Sequence, residues 1–226
     1  MKKIVVLTGA GMSAESGINT FRDANGLWEG HDVMEVASPE GFKRNPKLVL
    51  DFYNQRRRQL LTVKPNSGHK ALADLEKKYD ITIITQNVDD LHERAGSTDV
   101  IHLHGELLKS RSITNENEIY ECKNDINVGD LCPNNTQLRP HIVWFGEAVP
   151  MLDKAAQITT SADILIIIGT SMQVYPAASL INYVKSGIPI YFIDPKPAIN
   201  ANDFNNLTVI AEKATKGVKI LVDNYL

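Results

Sequence analysis

Cysteine is scarce in this chain of 226 residues: only Cys122 and Cys132 are present. Two thiols make no disulfide framework at this length, so the fold must rest on its core, and a reducing, cytoplasmic location is expected. Positive charge is not in excess either, since 24 Lys and Arg against 27 Asp and Glu give a formal net charge of -3. A general nucleic-acid binder needs a basic excess to release counterions from phosphates, so nucleic acid is not an expected partner. Uninterrupted apolar runs of membrane-spanning length are missing, and no membrane partner is expected. The opening MKKIVVLTGAG sets two lysines before an apolar run, but that run breaks at Thr8 and Gly9, too soon for a secretion signal. It reads as a first β-strand. Internal repeats and low-complexity tracts are absent as well.

What the chain does have is an ordinary globular composition, 43% hydrophobic and 23% charged, with length for a sizeable core. Short runs rich in Val and Ile recur at 4–7, 81–85, 141–145, 162–170, 188–194 and 207–211. Their continuous apolarity, rather than alternation, predicts strands buried on both faces, as in a parallel sheet. Helix-like segments at 69–79 and 177–187 lie between them, the second ending at Gly187 as a candidate cap. The fold class expected is α/β, a doubly wound, Rossmann-like parallel sheet with a small inserted lobe. The sheet domain is assigned to 1–29, 67–108 and 138–226. The lobe is assigned to 30–66, which looks helical, and 109–137, which is polar and turn-rich. A cleft between the two is the expected ligand site.

Five motifs carry chemistry. The first, TGAGMSAESGINTFRD at 8–23, places Gly9, Gly11 and Ala14 as G-x-G-x-x-A directly after a strand. That spacing lets backbone turn tightly and approach a pyrophosphate. A hydride-transferring dinucleotide domain also needs an acidic ribose anchor about 20 residues on, after a second strand. GLWEG stands there with no strand before it, which argues against a plain dehydrogenase. In the second motif, ITQNVDDLHERAG, a strand delivers Gln86, Asn87 and Asp89 to its carboxyl end, where an amide pair and a carboxylate can bind a carboxamide or order a water. The third, VIHLHGE, sets His102 and His104 two apart; His104, nearer the strand end, suits a general base with an ordinary pKa of about 6.5. The fourth, LRPHIVWFGEAVP, carries Phe145, Gly146 and Glu147, which could pair an extended peptide along a strand edge. The fifth, GTSMQVYP, ends the most apolar strand with Gly169, Thr170 and Ser171, offering hydroxyls and N–H groups to a ribose.

Taken together and in this order, from residue 8 to 176, the motifs resemble the sirtuins, the NAD-dependent protein lysine deacylases, and IYFIDPKP and EKATKG carry the match nearly to the end. The resemblance implies that Gly9, Ala10, Gly11, Ala14, Phe21 and Arg22 form the NAD loop and that Gln86, Asn87 and Asp89 line the nicotinamide and ribose region. It implies His104 as catalytic base, acting with Asn87 and Asp89; Gly169, Thr170 and Ser171 on the adenosine side; and Phe145, Gly146 and Glu147 against the substrate peptide. Asp194 and Ala214 join the nucleotide set by position. In the implied reaction NAD is consumed: nicotinamide leaves, the acyl group passes to ADP-ribose, and acylated-lysine proteins or peptides are the partners. Two rival readings stand beside it, a mono-ADP-ribosyltransferase and a non-catalytic NAD-binding module.

The helix-like run LVLDFYNQRRRQLL sets Tyr53 and Arg56 at i and i+3, on one helical face. Sirtuins that remove succinyl, malonyl or glutaryl groups carry Tyr-x-x-Arg in the acyl pocket, and the resemblance implies an acidic-acyl preference read by these two residues. Arg57 and Arg58 are expected on the solvated face. Most sirtuins hold a zinc ion with two Cys-x-x-Cys pairs; here Ser112 stands where the first would begin and CPNN replaces the second, so zinc is expected to be absent.

Overall fold

Six parallel strands gather most of the Val- and Ile-rich runs into one sheet. The computed structural model describes residues 1–19, 27–199 and 204–226. Among these, the first five strands are β1 (Lys3–Thr8), β2 (Leu27–Trp28), β3 (His31–Asp32), β4 (Asp80–Thr85) and β5 (Val100–His102). They are followed by β6 (Gly105–Ser112), β7 (Ile119–Glu121), β8 (Leu138–Ile142), β9 (Ile164–Ile168), β10 (Ile190–Ile193) and β11 (Leu207–Ile210). The large sheet has the order β11-β10-β9-β1-β4-β5 and every neighbouring pair is parallel. The order runs outward from β1 in both directions, the doubly wound arrangement in which ligands sit where the direction reverses. Here that point lies between the carboxyl ends of β1 and β9.

Alternate residues of each strand feed opposite cores. Ile4 and Val6 pack with Leu72, Val218 and Leu221, whereas Val5 and Leu7 pack with Ala155, Leu180 and Phe192. Both faces are therefore covered, which is why β9 reads as an unbroken apolar run and is buried along its whole length.

The helices are α1 (Val33–Val36), α2 (Pro39–Arg44), α3 (Pro46–Thr62), α4 (Ser67–Leu75), α5 (Leu91–Ala95), α6 (Leu152–Thr160) and α7 (Ala214–Tyr225). Proline at the first turn and the Asn45 side chain, which accepts from Leu48 N, start α3. Asn66 caps α4 in the same way, and its Nδ2 reaches back to donate to Met12 O at 2.8 Å and Ser16 Oγ at 3.1 Å. One side chain thus starts a helix and fastens the loop after β1.

Two expectations are corrected. The run at 141–145 does not join the parallel sheet: β8 pairs antiparallel with β6, and β7 completes a separate three-stranded sheet. Its apolar side chains Ile142 and Trp144 face a third cluster built with Phe52, Tyr53 and Leu60 of α3, a second way to bury continuous apolarity. The run at 177–187 is a 3-10 helix over Ala177–Tyr183, ended by extended backbone at Val184 rather than by Gly187.

Candidate active site

Three strand ends meet at one level, because Thr8 of β1 stands opposite Thr85 of β4 on one side and Ile168 of β9 on the other. The glycines after them are required by contact. A Cβ on Gly9 would lie 2.8 Å from Gly169 O, and one on Gly11 would lie 2.6 Å from Gly169 Cα. Gly169 itself has φ +62°, and a Cβ there would come within 2.4 Å of Met12 N. Gly11 N donates to Gly169 O at 2.8 Å, so the loop after β1 is laced to the turn after β9. Ala10 and Ala14 occupy the short helical turns that follow.

Gln86, Asn87 and Asp89 leave β4 on this loop. Asn87 Nδ2 donates to Gly9 O and to Ser13 Oγ, both at 3.1 Å, and Ser13 Oγ donates to Asp89 Oδ2 at 2.9 Å. Gln86 Nε2 donates to Thr170 Oγ1 at 3.2 Å across the reversal point. Burial raises the Asp89 pKa to about 6, against the opposing pull of the Ser13 hydroxyl and Leu91 N–H. A carboxyl with a raised pKa, an amide and a glycine-walled turn form a set of donors and acceptors that could hold a dinucleotide.

His104 Nδ1 donates to Gln86 O at 3.1 Å, so in the neutral ring Nε2 carries the basic lone pair. Burial lowers its pKa below the ordinary 6.5, only partly offset by that carbonyl. The imidazole is therefore unprotonated at neutral pH, ready to accept a proton. His102 has the opposite balance: burial pulls it down, but Glu93 at 2.7 Å and Asn87 O at 3.0 Å outweigh this and its pKa is raised. Its role is to hold the Asn87 backbone.

Beneath the loop, Thr8 Oγ1 donates to Thr85 Oγ1 at 2.8 Å and lies 3.1 Å from His92 Nε2; Thr85 Oγ1 in turn accepts from Asn87 N at 3.0 Å. The His69 ring lies 4.8 Å from that of His92. Neither Ser13 nor this threonine–histidine layer is among the residues that the motifs single out. Ser13 sits inside the TGAGMSAE motif, and a hydroxyl two residues past the second glycine was the available signal.

On α3, Tyr53 is fully buried and its oxygen accepts from Trp144 Nε1 at 3.0 Å. Arg56 lies over the Phe52 ring, donates through Nη1 to Phe52 O at 3.0 Å, and stands 3.7 Å from Glu29. Its Nε is buried without a partner among the described residues. Arg57 is corrected from the solvated face to the interior: it is 0% exposed, and donates to Leu107 O at 3.1 Å and Asn54 Oδ1 at 2.7 Å. The sequence could not reveal the Leu107 carbonyl, which arrives from β6. Arg58 is exposed, paired with Asp125.

Phe145, Gly146 and Glu147 lie in a turn beyond β8, with Phe145 exposed and Phe145 N donating to Ala37 O. The Glu147 carboxylate faces inward, accepting from Arg139 at 2.6 Å, Arg111 at 3.1 Å and Trp144 N at 2.8 Å. Burial works to raise its pKa, and these partners outweigh that and lower it. Ser171 follows Thr170 in the β9 turn; Asp194, after β10, accepts from Lys196 N at 2.8 Å; buried Ala214 begins α7. Phe21 and Arg22 lie outside the described residues.

The sulfur ligands do not fit a zinc ion. Cys132 Sγ lies 3.0 Å from Thr136 Oγ1, whose partner Ser112 Oγ is 2.6 Å away, while Cys122 Sγ points to Asn124 O. Among the described residues no three His, Cys, Asp or Glu side chains converge as metal ligands, and a structural zinc site takes four. Asn54 instead fastens this region to α3, with Nδ2 donating to Ile126 O and Oδ1 accepting from Ile126 N, each at 2.9 Å.

Comparison with known proteins shows the family. Residues 9–176 match the model of the Sir2 family. The chain is 61% identical over 226 residues to an NAD-dependent protein deacylase of Helicobacter pylori, covering 100% of this chain and 98% of the relative. One from Bacteroides thetaiotaomicron is 55% identical, covering 98% and 97%. Among solved structures, a Sir2 homologue in complex with NAD superposes with a TM-score of 0.88 at 41% identity, covering 98% of this chain and 88% of that one. Sir2 bound to acetylated peptide superposes at 0.81 and 29% identity, covering 97% and 92%.

Proposed function

The chain belongs to the Sir2 family, and on that premise we propose that it is an NAD-dependent protein-lysine deacylase that prefers succinyl, malonyl or glutaryl over acetyl groups. The observation that carries the enzymatic reading is His104, whose Nδ1 is tied to Gln86 O so that Nε2 is a free base at the strand ends where the glycine loop, Asn87 and Asp89 converge.

When bound, NAD would supply the ribose carbon that captures the acyl oxygen as nicotinamide departs, and water would then release the lysine and leave the acyl group on a ribose oxygen as O-acyl-ADP-ribose. The loop from Gly9 to Ala14 and the Gly169–Ser171 turn would hold its phosphates and riboses, with Asp194 and Ala214 at the adenosine end. Asn87 and Asp89 would bind and orient the carboxamide, with Ser13 keeping both side chains in place. His104 Nε2 accepts a proton from a ribose hydroxyl and, being deprotonated already at neutral pH, needs no prior activation. Phe145 and Gly146 would lie along the acylated-lysine peptide.

The acyl preference rests on Arg56. Its buried, unpartnered Nε and the Tyr53 hydroxyl one turn away are donors that a carboxylate would satisfy and an acetyl methyl would not. A site built to bond such a group rejects the analogue lacking it. We also place this chain among those whose small lobe is held by side-chain hydrogen bonds rather than zinc, which metal analysis of purified protein checks. Turnover of matched succinyl- and acetyl-lysine peptides by wild type and Arg56→Met tests the preference. Preference for succinyl that the substitution removes supports it; equal use of both, unchanged by Arg56→Met, refutes it.

A further inference from the structure

Tyr53 does not set its own orientation. Resting on the acidic-acyl reading above, we propose that Trp144 is a specificity-determining positioning residue whose indole N–H directs the Tyr53 hydroxyl proton toward the carboxylate that Arg56 reads.

A phenol has one proton to donate and lone pairs to accept with. At Tyr53 the Trp144 Nε1–H occupies a lone pair at 3.0 Å, and no acceptor among the described residues takes the proton. The indole nitrogen offers no lone pair in return, so the Tyr53 proton cannot turn back onto its partner. Tyr53 is 0% exposed, so this unpaired proton costs free energy until a ligand accepts it. Arg56, one turn along the same helix, has the same need at its buried Nε. Two donors left short within one turn describe a place for an anion.

Trp144 is fixed from several sides. The Arg139 guanidinium lies 3.2 Å from its ring centroid, the Phe42 ring 5.3 Å away, and its own backbone N–H donates to Glu147 at 2.8 Å. Glu147 also clamps Arg139 at 2.6 Å. Reorienting the indole would strip it from the Arg139 guanidinium, which Glu147 holds in place, and from the Phe42 ring, so the N–H direction is built into the fold. This gives the Glu147 carboxylate a task on the inner side of the peptide turn: it holds the tryptophan that holds the tyrosine.

The test is the ratio of succinyl to acetyl kcat/KM for Trp144→Phe, which keeps an aromatic ring and loses the N–H, beside Tyr53→Phe, Arg56→Met and the Tyr53→Phe/Trp144→Phe double variant. The expected result is a ratio lowered about tenfold by Trp144→Phe, the scale of one hydrogen bond to a charged group, with the loss in succinyl KM. The double variant should be no worse in this ratio than Tyr53→Phe, because the indole acts only through the hydroxyl. An unchanged ratio in Trp144→Phe while Tyr53→Phe and Arg56→Met lower it would overturn the inference and leave the acyl reading intact. No succinyl preference in wild type, with Arg56→Met silent, would overturn both. Should Trp144→Phe not fold, the indole N–H resonance of Trp144 in the wild type decides: it must move on adding succinyl-lysine peptide with Tyr53 present and not in Tyr53→Phe, and an equal response in both refutes the coupling.

Discussion

Asp89→Asn should make this protein more stable and disable its chemistry. Asp89 is 5% exposed, and its pKa stands at about 6 against an ordinary 3.8. A carboxyl whose folded pKa lies above its unfolded one is penalised in the folded state wherever it ionises; the cost is absent below pH 3.8 and complete above about 6. The difference corresponds to roughly 3 kcal/mol at pH 8. An asparagine escapes that cost but leaves the Ser13 hydroxyl, now the donor to Asp89 Oδ2, facing an amide that also donates, a loss of about 1 kcal/mol. The net gain is about 2 kcal/mol at pH 8, or roughly 4–8 °C in melting temperature for a chain of this size. Urea unfolding of wild type and variant at pH 8 and pH 5 measures it. The gain should shrink to under about 1 kcal/mol at pH 5, as the wild-type carboxyl becomes protonated on folding. A destabilised variant at pH 8, or a gain independent of pH, would show that the Asp89 charge is not penalised by its burial. Loss of nicotinamide release in the same variant would show that the buried charge is retained for function.

Arg57→Ala should cost about 3 kcal/mol in urea unfolding, because it strips two buried bonds from a charged donor, taking the Arg57 donor from Leu107 O and leaving Asn54 Oδ1 with Ile126 N alone; Arg58→Ala, more than half exposed, should cost under about 0.5 kcal/mol. Equal effects would mean that the interior clamp contributes nothing. Acid should weaken the fold through His69, whose burial lowers its pKa from 6.5 to about 4. With the folded value below the unfolded one, its stabilising contribution is complete above pH 6.5 and is lost as pH falls toward 4, amounting to about 2 kcal/mol by pH 5. His92, held well below 6.5 by burial and by His69, adds in the same direction. Unfolding free energy that stays flat between pH 7.5 and 5 would contradict this.

Much of the sheet was legible in the sequence because strands covered on both faces are apolar along most of their length: β9 and β10 are apolar throughout, and β1, β4 and β11 depart from this only at threonines and at the charged first residues Lys3 and Asp80. The same rule misplaced 141–145, since a strand whose end packs under a helix is equally apolar, and only the pairing with β6 distinguishes the two. Gln86, Asn87 and His104 were legible because strand ends deliver side chains to one edge. Ser13 was not, because its part comes from two side chains arriving from β4, more than 70 residues away in sequence. Arg57 and Trp144 failed to stand out for the same reason: a charge run and an apolar run hide partners that only the packed structure supplies.

The most direct test of the central claim is to follow nicotinamide and free-lysine peptide from a succinyl-lysine peptide, with and without NAD, for wild type and His104→Ala, alongside calorimetric NAD binding. The wild type should release both products only when NAD is present, and His104→Ala should bind NAD yet release no deacylated peptide. A wild type that never consumes NAD, or a His104→Ala variant that turns over at the wild-type rate, would contradict the account.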